Sequence, residues 1–600
     1  MKIFFIIISL LIVSGCDDDT SQNNSNNTIN NNNINNSSNN TNNTNNTNNT
    51  NNTNNTLNVG TLSFETGEVP VRTGGDNLVL TDKVWDEEYS ATVSVDASQA
   101  PSHPLEKGIG GINMEAQFGG FNVMTGYDLN LNVANQMKSL NLVGKTVRWP
   151  GGGYDTLDYV GCIGDPHTRP LQSFFGTDQQ CTFGPQEANE FAQITQSELW
   201  MQVQPMLVDP SIQDSVITHS AFPVYNHNSG EAGTINSRVI NWEIGNEQYA
   251  LSADDYSVQD FVSAAIPMIA AMRQEDPSIK IWVPLFLNYS NNWFSAQSDW
   301  NQVIIANLAH LVDGFSVHNG YAPIVPSAGN ADDVVDAYKA MFSNALWVEE
   351  NIQDIRDLIA QYADESAPDL KFAITEMNAA FGIFPDQHNM MNHVQTLASG
   401  AYFASMLATY AQMGDVTHVH AFTGVQFTTM GLLGVTDGTY TSTPDTHSGP
   451  ALVLRQWNAW ADGNVLTDVE VTSPTFSSKT LGWMQQINSI PLLSVFVIKS
   501  NDGSALKIML VNRSLTQSAR VNLQITGFEP SEARVSLVTG FAADSNPGLT
   551  IPDVVNPAEP AEFNRFRSGT IGEIWIASEE EPFMNFLRVP PASVVFLTAL

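Results

Sequence analysis

Two glutamates stand where the chain could do acid-base or nucleophilic chemistry. Residues 239 to 247 read Val-Ile-Asn-Trp-Glu-Ile-Gly-Asn-Glu, a short apolar run that breaks off at Glu247, and Lys371-Phe-Ala-Ile-Thr-Glu376-Met-Asn378 repeats the pattern at Glu376. Hydrolysis of an acetal needs one carboxyl to protonate the leaving oxygen and another to attack or stabilise the oxocarbenium-like centre. A single glutamate after a strand is as easily a solvated loop acid. The matched context of the pair favours catalysis, provided that the fold brings both acids to one cleft.

A barrel would do so. Eight strand-like runs fall at Gly111 to Glu115, Thr146 to Trp149, Met201 to Met206, Val239 to Ile244, Ile281 to Leu285, Phe315 to His318, Phe372 to Glu376 and His418 to Phe422. Helical periodicity separates them, for instance over Tyr256 to Gln274, Ala331 to Tyr362 and Met391 to Met413. Strands alternating with helices signal a parallel sheet, and eight of them signal a closed (β/α)8 barrel whose chemistry sits at the C-terminal strand ends. Glu247 and Glu376 then end strands four and seven on the same face. Strand two ends in Arg148 ahead of Pro150-Gly-Gly-Gly153. That guanidinium could hold a carboxylate nucleophile ionised, or could instead pair inside the barrel with Glu243, one layer below Glu247. Strand six ends in His318-Asn-Gly-Tyr321, where His318 or Tyr321 could hydrogen-bond the glutamates or a sugar; a satisfied structural histidine is the alternative. Tyr154, Tyr159, Trp293 and Phe381 lie on candidate loops, where an aromatic ring serves packing more often than stacking on sugar.

The remaining segments frame this core. Residues 1–16 join one lysine, a short apolar run and Val13-Ser-Gly-Cys16, an export signal whose end resembles a bacterial lipobox, so cleavage before Cys16 and lipid attachment to it are expected. Residues 17–58 are almost entirely Asn, Thr, Ser and Asp, too poor in apolar surface to fold. As a flexible tether of about 40 residues they would hold the rest roughly 35 Å from an anchor. Residues 59–106 alternate like strands, residues 107–461 are the barrel, and residues 462–600 return to short alternating runs (Leu493 to Lys499, Leu506 to Val511, Arg520 to Ile525, Arg534 to Val538, Ala592 to Leu597), the pattern of a β-sandwich. The N-terminal strands are expected to pack with that sandwich. Cys162 and Cys181 form an even pair in an exported chain and are expected to be bridged. No His, Cys or carboxylate spacing suggests a metal, and no cofactor is inferred. The formal charge of −38, from 24 basic and 62 acidic residues, argues against nucleic acid and anionic membrane surfaces as partners and fits a neutral ligand or a salty medium, with a polyanionic substrate still open through a local basic patch; the polysaccharide or oligosaccharide expected as ligand follows from the glutamate pair. Contact with a membrane is expected through the anchor only.

Arg-Trp-Pro-Gly-Gly on strand two, Gly-Asn-Glu on strand four, His-Asn-Gly-Tyr on strand six and Thr-Glu-Met-Asn on strand seven together resemble glycoside hydrolase clan A. Within it the nearest likeness is to the family 51 α-L-arabinofuranosidases, supported by Val511-Asn-Arg-Ser514 and by the closing Arg588-Val-Pro-Pro-Ala-Ser-Val-Val-Phe-Leu597. The resemblance implies a retaining mechanism, with Glu247 as general acid/base, Glu376 as nucleophile, Asn246 on the sugar 2-hydroxyl and Glu115 as a further substrate ligand. An ionised Glu376 beside Arg148 and a protonated Glu247 would supply the required split in acidity. Two departures bear on the sugar: Thr-Glu-Met-Asn where that family commonly has Asp-Glu-Trp-Asn, and a long loop from Asp155 to Pro185 carrying the cysteines. Agar- and porphyran-cleaving family 86 and the glucuronidases of family 79 use the same frame. The reading from another class is a tethered, non-catalytic glycan-binding lipoprotein, which has no need of two strand-end glutamates.

Overall fold

The apolar runs form eight parallel strands in the computed structural model: β1 (Gly108–Asn113), β2 (Thr146–Trp149), β3 (Glu198–Val203), β4 (Asn241–Ile244), β5 (Lys280–Pro284), β6 (Gly314–Val317), β7 (Lys371–Ala379) and β8 (Val416–Ala421). They pair in the order β6-β5-β4-β3-β2-β1-β8-β7, and β6 pairs back onto β7, which closes the ring. The structure describes residues 63–66, 88–116, 123–152, 157–174, 177–229, 238–286, 297–318, 320–322, 334–365, 367–379, 396–425, 430–434, 446–481, 484–530, 532–539, 570–577 and 587–600. Cys16, the 17–58 segment, Tyr154, Trp293 and Phe381 lie outside them. Among the described residues no helix is long and apolar enough to cross a membrane.

Each strand is followed by a helix: α1 (Leu131–Lys138), α2 (Pro185–Thr195), α3 (Phe222–Asn228), α4 (Val258–Glu275), α5 (Trp300–Leu308), α6 (Val334–Tyr362), α7 (Leu397–Gln412) and α8 (Gly449–Trp460). Short polar residues start several of them. Asn130, Ser257, Thr396 and Ser448 each accept a hydrogen bond from a backbone N–H of the first turn, satisfying donors that a helix leaves unpaired.

β1 begins three residues and ends two residues earlier than its apolar run suggests, and β3 begins and ends three residues earlier. β3 stops at Val203 because Gln204 and Pro205 lead into a 3-10 turn and proline has no N–H to offer the ladder. β1 starts at Gly108 because Gly108 and Gly111 lie against the rings of His418 and His420, where a Cβ would collide. The glycines therefore admit the histidines to the barrel interior.

A β-sandwich packs beside the barrel. Its larger sheet holds Leu493–Lys499, Leu506–Asn512, Glu532–Thr539, Thr570–Ala577 and Val594–Ala599, with Asn464–Leu466 and His103–Pro104 at one edge and Ser63–Thr66 at the other. The smaller sheet joins Val469–Thr472, Glu88–Asp96, Ser518–Thr526 and Leu587–Val589, with Glu88–Asp96 running parallel to Ser518–Thr526 in full register. Alternate residues of Glu88–Asp96, namely Tyr89, Ala91, Val93 and Val95, enter the core between the sheets. The barrel core continues into the outer face of the larger sheet, where Trp457 packs on Phe496 and the Trp460 indole donates to the Leu597 carbonyl.

Candidate active site

Arg148 is the centre from which the site is built. It lies on β2 facing the barrel axis and is fully buried. Its Nε donates to Glu243 Oε2 at 2.7 Å, Nη1 to Glu376 Oε1 at 2.9 Å and to Asn113 Oδ1 at 2.9 Å, and Nη2 to Asn246 Oδ1 at 2.7 Å. The two pairings that the sequence left as alternatives, with the strand-seven acid and with Glu243, therefore coexist on one guanidinium. Burial alone would push its proton off, yet the adjoining Glu243 and Glu376 carboxylates raise its pKa further above its ordinary value.

Glu247 leaves β4 through a tight turn. Gly245 takes a φ of +84° and Glu247 itself a φ of +55°, a left-handed conformation that costs a side-chain-bearing residue about 1 kcal/mol or more. The Gly245 N–H to Val203 carbonyl bond and the Ala250 N–H to Glu247 carbonyl bond hold the turn in place. Glu247 Oε1 lies 2.6 Å from His318 Nδ1 and accepts from the Tyr249 hydroxyl at 3.2 Å. The same His318 nitrogen is 3.5 Å from Glu376 Oε2. One ligand atom each of Glu247, His318 and Glu376 lies within 4.8 Å of the others. These three are also the residues of the described chain that could hold a metal ion, although the Arg148 charge on Glu376 works against a cation there.

Glu115 lies two residues beyond β1, and its Oε1 accepts from Asn113 Nδ2 at 2.5 Å and from the Gly152 N–H at 3.0 Å. Glycine is required at this point of strand two's exit: Gly151 has a φ of +91°, and a Cβ on Gly152 would stand 2.8 Å from Glu376 Oε1. Four carboxylates thus crowd around one guanidinium and one imidazole. Burial, and then the neighbouring Glu376 charge, raise the Glu115 pKa well above the carboxylate range. Burial also opposes ionisation of Glu247, but the charge and hydrogen bond of His318 outweigh it and lower its pKa. His318 moves the opposite way: burial disfavours its cation, and Glu376 and Glu247 raise its pKa regardless. This corrects the expectation of a protonated Glu247 in the free protein: the His318 charge and hydrogen bond favour its ionised form.

No protein-family model matches the chain, and no curated protein matches it. Solved structures do. The chain is similar to an α-L-arabinofuranosidase from Thermotoga maritima in complex with arabinose, at 18% identity and a TM-score of 0.64 over 85% of this chain and 100% of that one. It is similar to a thermostable glycoside hydrolase family 51 α-L-arabinofuranosidase from Thermotoga petrophila RKU-1 at the same identity, TM-score and coverage. A third is Cel44A, a family 44 endoglucanase from Clostridium thermocellum, at 13% identity and a TM-score of 0.51 over 85% of this chain and 100% of that one. The fold is shared with the family 51 arabinofuranosidases. The resemblance read from the strand-end motifs is borne out in that fold.

The structure gathers Glu115, Arg148, Asn246, Glu247, His318 and Glu376 at the C-terminal barrel mouth. Tyr321 belongs to the short strand Gly320–Ala322 opposite Asn378, and its side chain lies outside the described residues. Tyr159 is buried, ring to ring with Trp149, and its hydroxyl accepts from Asn226 at 3.1 Å, so it is part of the packing. Cys162 and Cys181 are bonded, with Cα atoms 5.4 Å apart, and Arg169 braces the same loop through the Cys181 carbonyl and Glu187. Sequence reasoning overlooked Asn113 and Tyr249. The signal for Asn113 was its strand parity with Glu115, and for Tyr249 its place two residues after the acid, where a 3-10 turn returns its hydroxyl to Glu247.

Proposed function

We propose that the protein is a retaining O-glycoside hydrolase acting on a plant or algal polysaccharide, arabinofuranosidase-like in its chemistry. Glu376 is the nucleophile and Glu247 the general acid/base. The observation that carries this reading is the pair of carboxylates, Glu247 just beyond β4 and Glu376 in the second half of β7, with oxygens within 4.8 Å of one another, Glu376 on Arg148 and Glu247 on His318. Carboxyl groups about 5 to 5.5 Å apart leave no room for a water between acid and sugar, so displacement must pass through a glycosyl ester.

In this reading Arg148 keeps Glu376 ionised and aims Oε1, while Oε2 faces the anomeric carbon. The proton for the departing oxygen is held in the 2.6 Å His318–Glu247 hydrogen bond. As charge builds on the leaving oxygen, the Glu247 carboxyl gives that oxygen the proton it shares with His318, leaving His318 neutral and Glu247 ionised. Asn246 has its Oδ1 taken by Arg148, which leaves Nδ2 to donate to a sugar hydroxyl. Glu115, with its carboxyl held beside Glu376, is a second contact for the ring. The Thermotoga neighbours' printed activity supports an arabinofuranoside as the first substrate to try; agarase-, porphyranase- and glucuronidase-type cleavage are tested beside it.

The deciding experiment is incubation with aryl glycosides, arabinans, arabinoxylans, agars and porphyrans, with products followed by NMR from the first minutes. Net retention of the anomer is expected. Release of the inverted anomer first would overturn the assigned pair, and binding without turnover would favour the glycan-binding lipoprotein. We also infer export and lipid attachment at Cys16. Mass spectrometry should find an acylated Cys16 as the first residue, and an unmodified N-terminus upstream of it would refute the anchor.

A further inference from the structure

A recess beside the catalytic mouth holds amide groups that the protein itself does not satisfy. It lies between the loops that follow β2 and β3 and is lined by Trp149, Tyr159, Gln202, Gln204, Leu207 and His219, with about 280 Å3 of space counting what is open to solvent. Gln202 and Gln204 are 2% and 4% exposed. Gln202 Nε2 donates to the Gly245 carbonyl at 3.3 Å, two residues before Glu247, whereas Gln202 Oε1 and both polar atoms of Gln204 have no protein partner. Buried amides without partners are destabilising, so two such residues lining one recess call for an occupant. The walls are tied to the reacting groups: Trp149 and Pro150 follow Arg148 directly, and the Gln202 amide grips the turn that presents Glu247.

We propose that Gln202 and Gln204 form a specificity-determining subsite for one hydroxyl or hydroxymethyl arm of the bound sugar chain. The recess holds little more than one water-sized group, so it takes a substituent and not a ring. The chemistry matches. A hydroxyl donates once and accepts twice, and the recess offers two carbonyl acceptors and one NH2 donor. This proposal rests on the glycoside hydrolase reading for its ligand, but not for the unpaired state of the amides.

Gln204→Met, and the smaller Gln204→Leu, replace the amide with apolar side chains and separate the two points. Without sugar, a higher Tm than wild type is expected, because an unpaired amide is removed. A lower Tm in both, or failure of both to fold, would mean that a resident water already satisfies the amide, and would overturn the proposal. On a glycoside that the wild type turns over, KM should rise roughly tenfold with kcat nearly unchanged, the loss of one hydrogen-bonded hydroxyl. An unchanged KM would overturn the subsite. Calorimetry with neutral oligosaccharides keeps the test independent of turnover: weaker binding by the variants supports the subsite even if the hydrolase reading fails, and equal binding, or none to the wild type, rejects it.

Discussion

His318 at the barrel mouth and His418 and His420 at its floor lie in the same ring of strands, His318 and His420 buried and His418 half-buried, yet their acidities move in opposite directions. The floor pair sits among Trp200, Trp282 and Thr146, and burial pushes His418 down to about 4 and His420 well below its ordinary value. His318 is as enclosed, but Glu376 and Glu247 face it and its pKa rises. Burial therefore sets the direction only where no charge answers it. At the floor the rings of Trp200 and Trp282 surround the histidines; at the mouth a network of charges does.

The largest effects should come from breaking the mouth. Glu247→Ala and Glu376→Ala should each lower kcat by about 10²–10⁴-fold or more with the fold retained, read by circular dichroism beside the assay. Azide should rescue Glu376→Ala with a product of inverted configuration, and rescue of Glu247→Ala should retain it. Near-wild-type turnover in either variant would remove the assignment.

Next in size is Arg148→Met, which strands Glu243 and Glu376 as buried charges and should lower stability by about 3–5 kcal/mol in denaturant unfolding. His420→Leu at the floor removes a single hydrogen bond to Thr146 and should cost about 1 kcal/mol. Equal losses for the two would erase the contrast between the ends.

Much of the mouth was legible because strand ends announce themselves: apolar runs closing on Arg148, Glu247, His318 and Glu376 are visible as text, and a closed barrel carries them to one face. The cysteine pair was legible from its number and context. What was not legible is the second partner of each group. That Arg148 serves Glu243 and Glu376 together, that His318 reverses the expected state of Glu247, and that Asn113 ties Arg148 to Glu115 all depend on distances across the ring, which no local spacing encodes. The same holds for β1 and β3, whose limits are set by histidine rings and a proline turn instead of by hydrophobic pattern.

Reduction of the Cys162–Cys181 bond should lower stability by about 3 kcal/mol, since it frees a short loop on the catalytic side. Thiol titration of the unfolded, unreduced protein finding both cysteines free would contradict the bond.

A smaller effect distinguishes Glu115. A carboxyl whose pKa is raised on folding binds more protons in the native state, so its contribution is favourable at acid pH and is lost as pH rises through the folded value. Glu115→Gln removes that loss. Its Tm should exceed the wild-type Tm at pH 8 and converge with it near pH 4, even as activity falls through the lost substrate contact. A Tm below wild type at pH 8 would mean that the Glu115 charge is compensated in the native state.

The finest test returns to the histidines. His318, raised on folding, contributes stability that is fully present below the unfolded value of about 6.5 and is lost as pH climbs through its folded value. His418, depressed on folding, contributes stability present above about 6.5 and lost as pH falls toward its folded value of about 4. His318→Asn should therefore flatten the alkaline limb of a Tm-against-pH curve and His418→Leu the acid limb, each leaving the other limb in place. Imidazole NMR of the wild type gives the direct reading, with the His318 ring titrating above 6.5 and the His418 ring neutral until about pH 4. If His318 titrated below 6.5 along with the floor pair, its carboxylate partners would not be charged in the free protein, and the proton held between His318 and Glu247 would have no source of stabilisation.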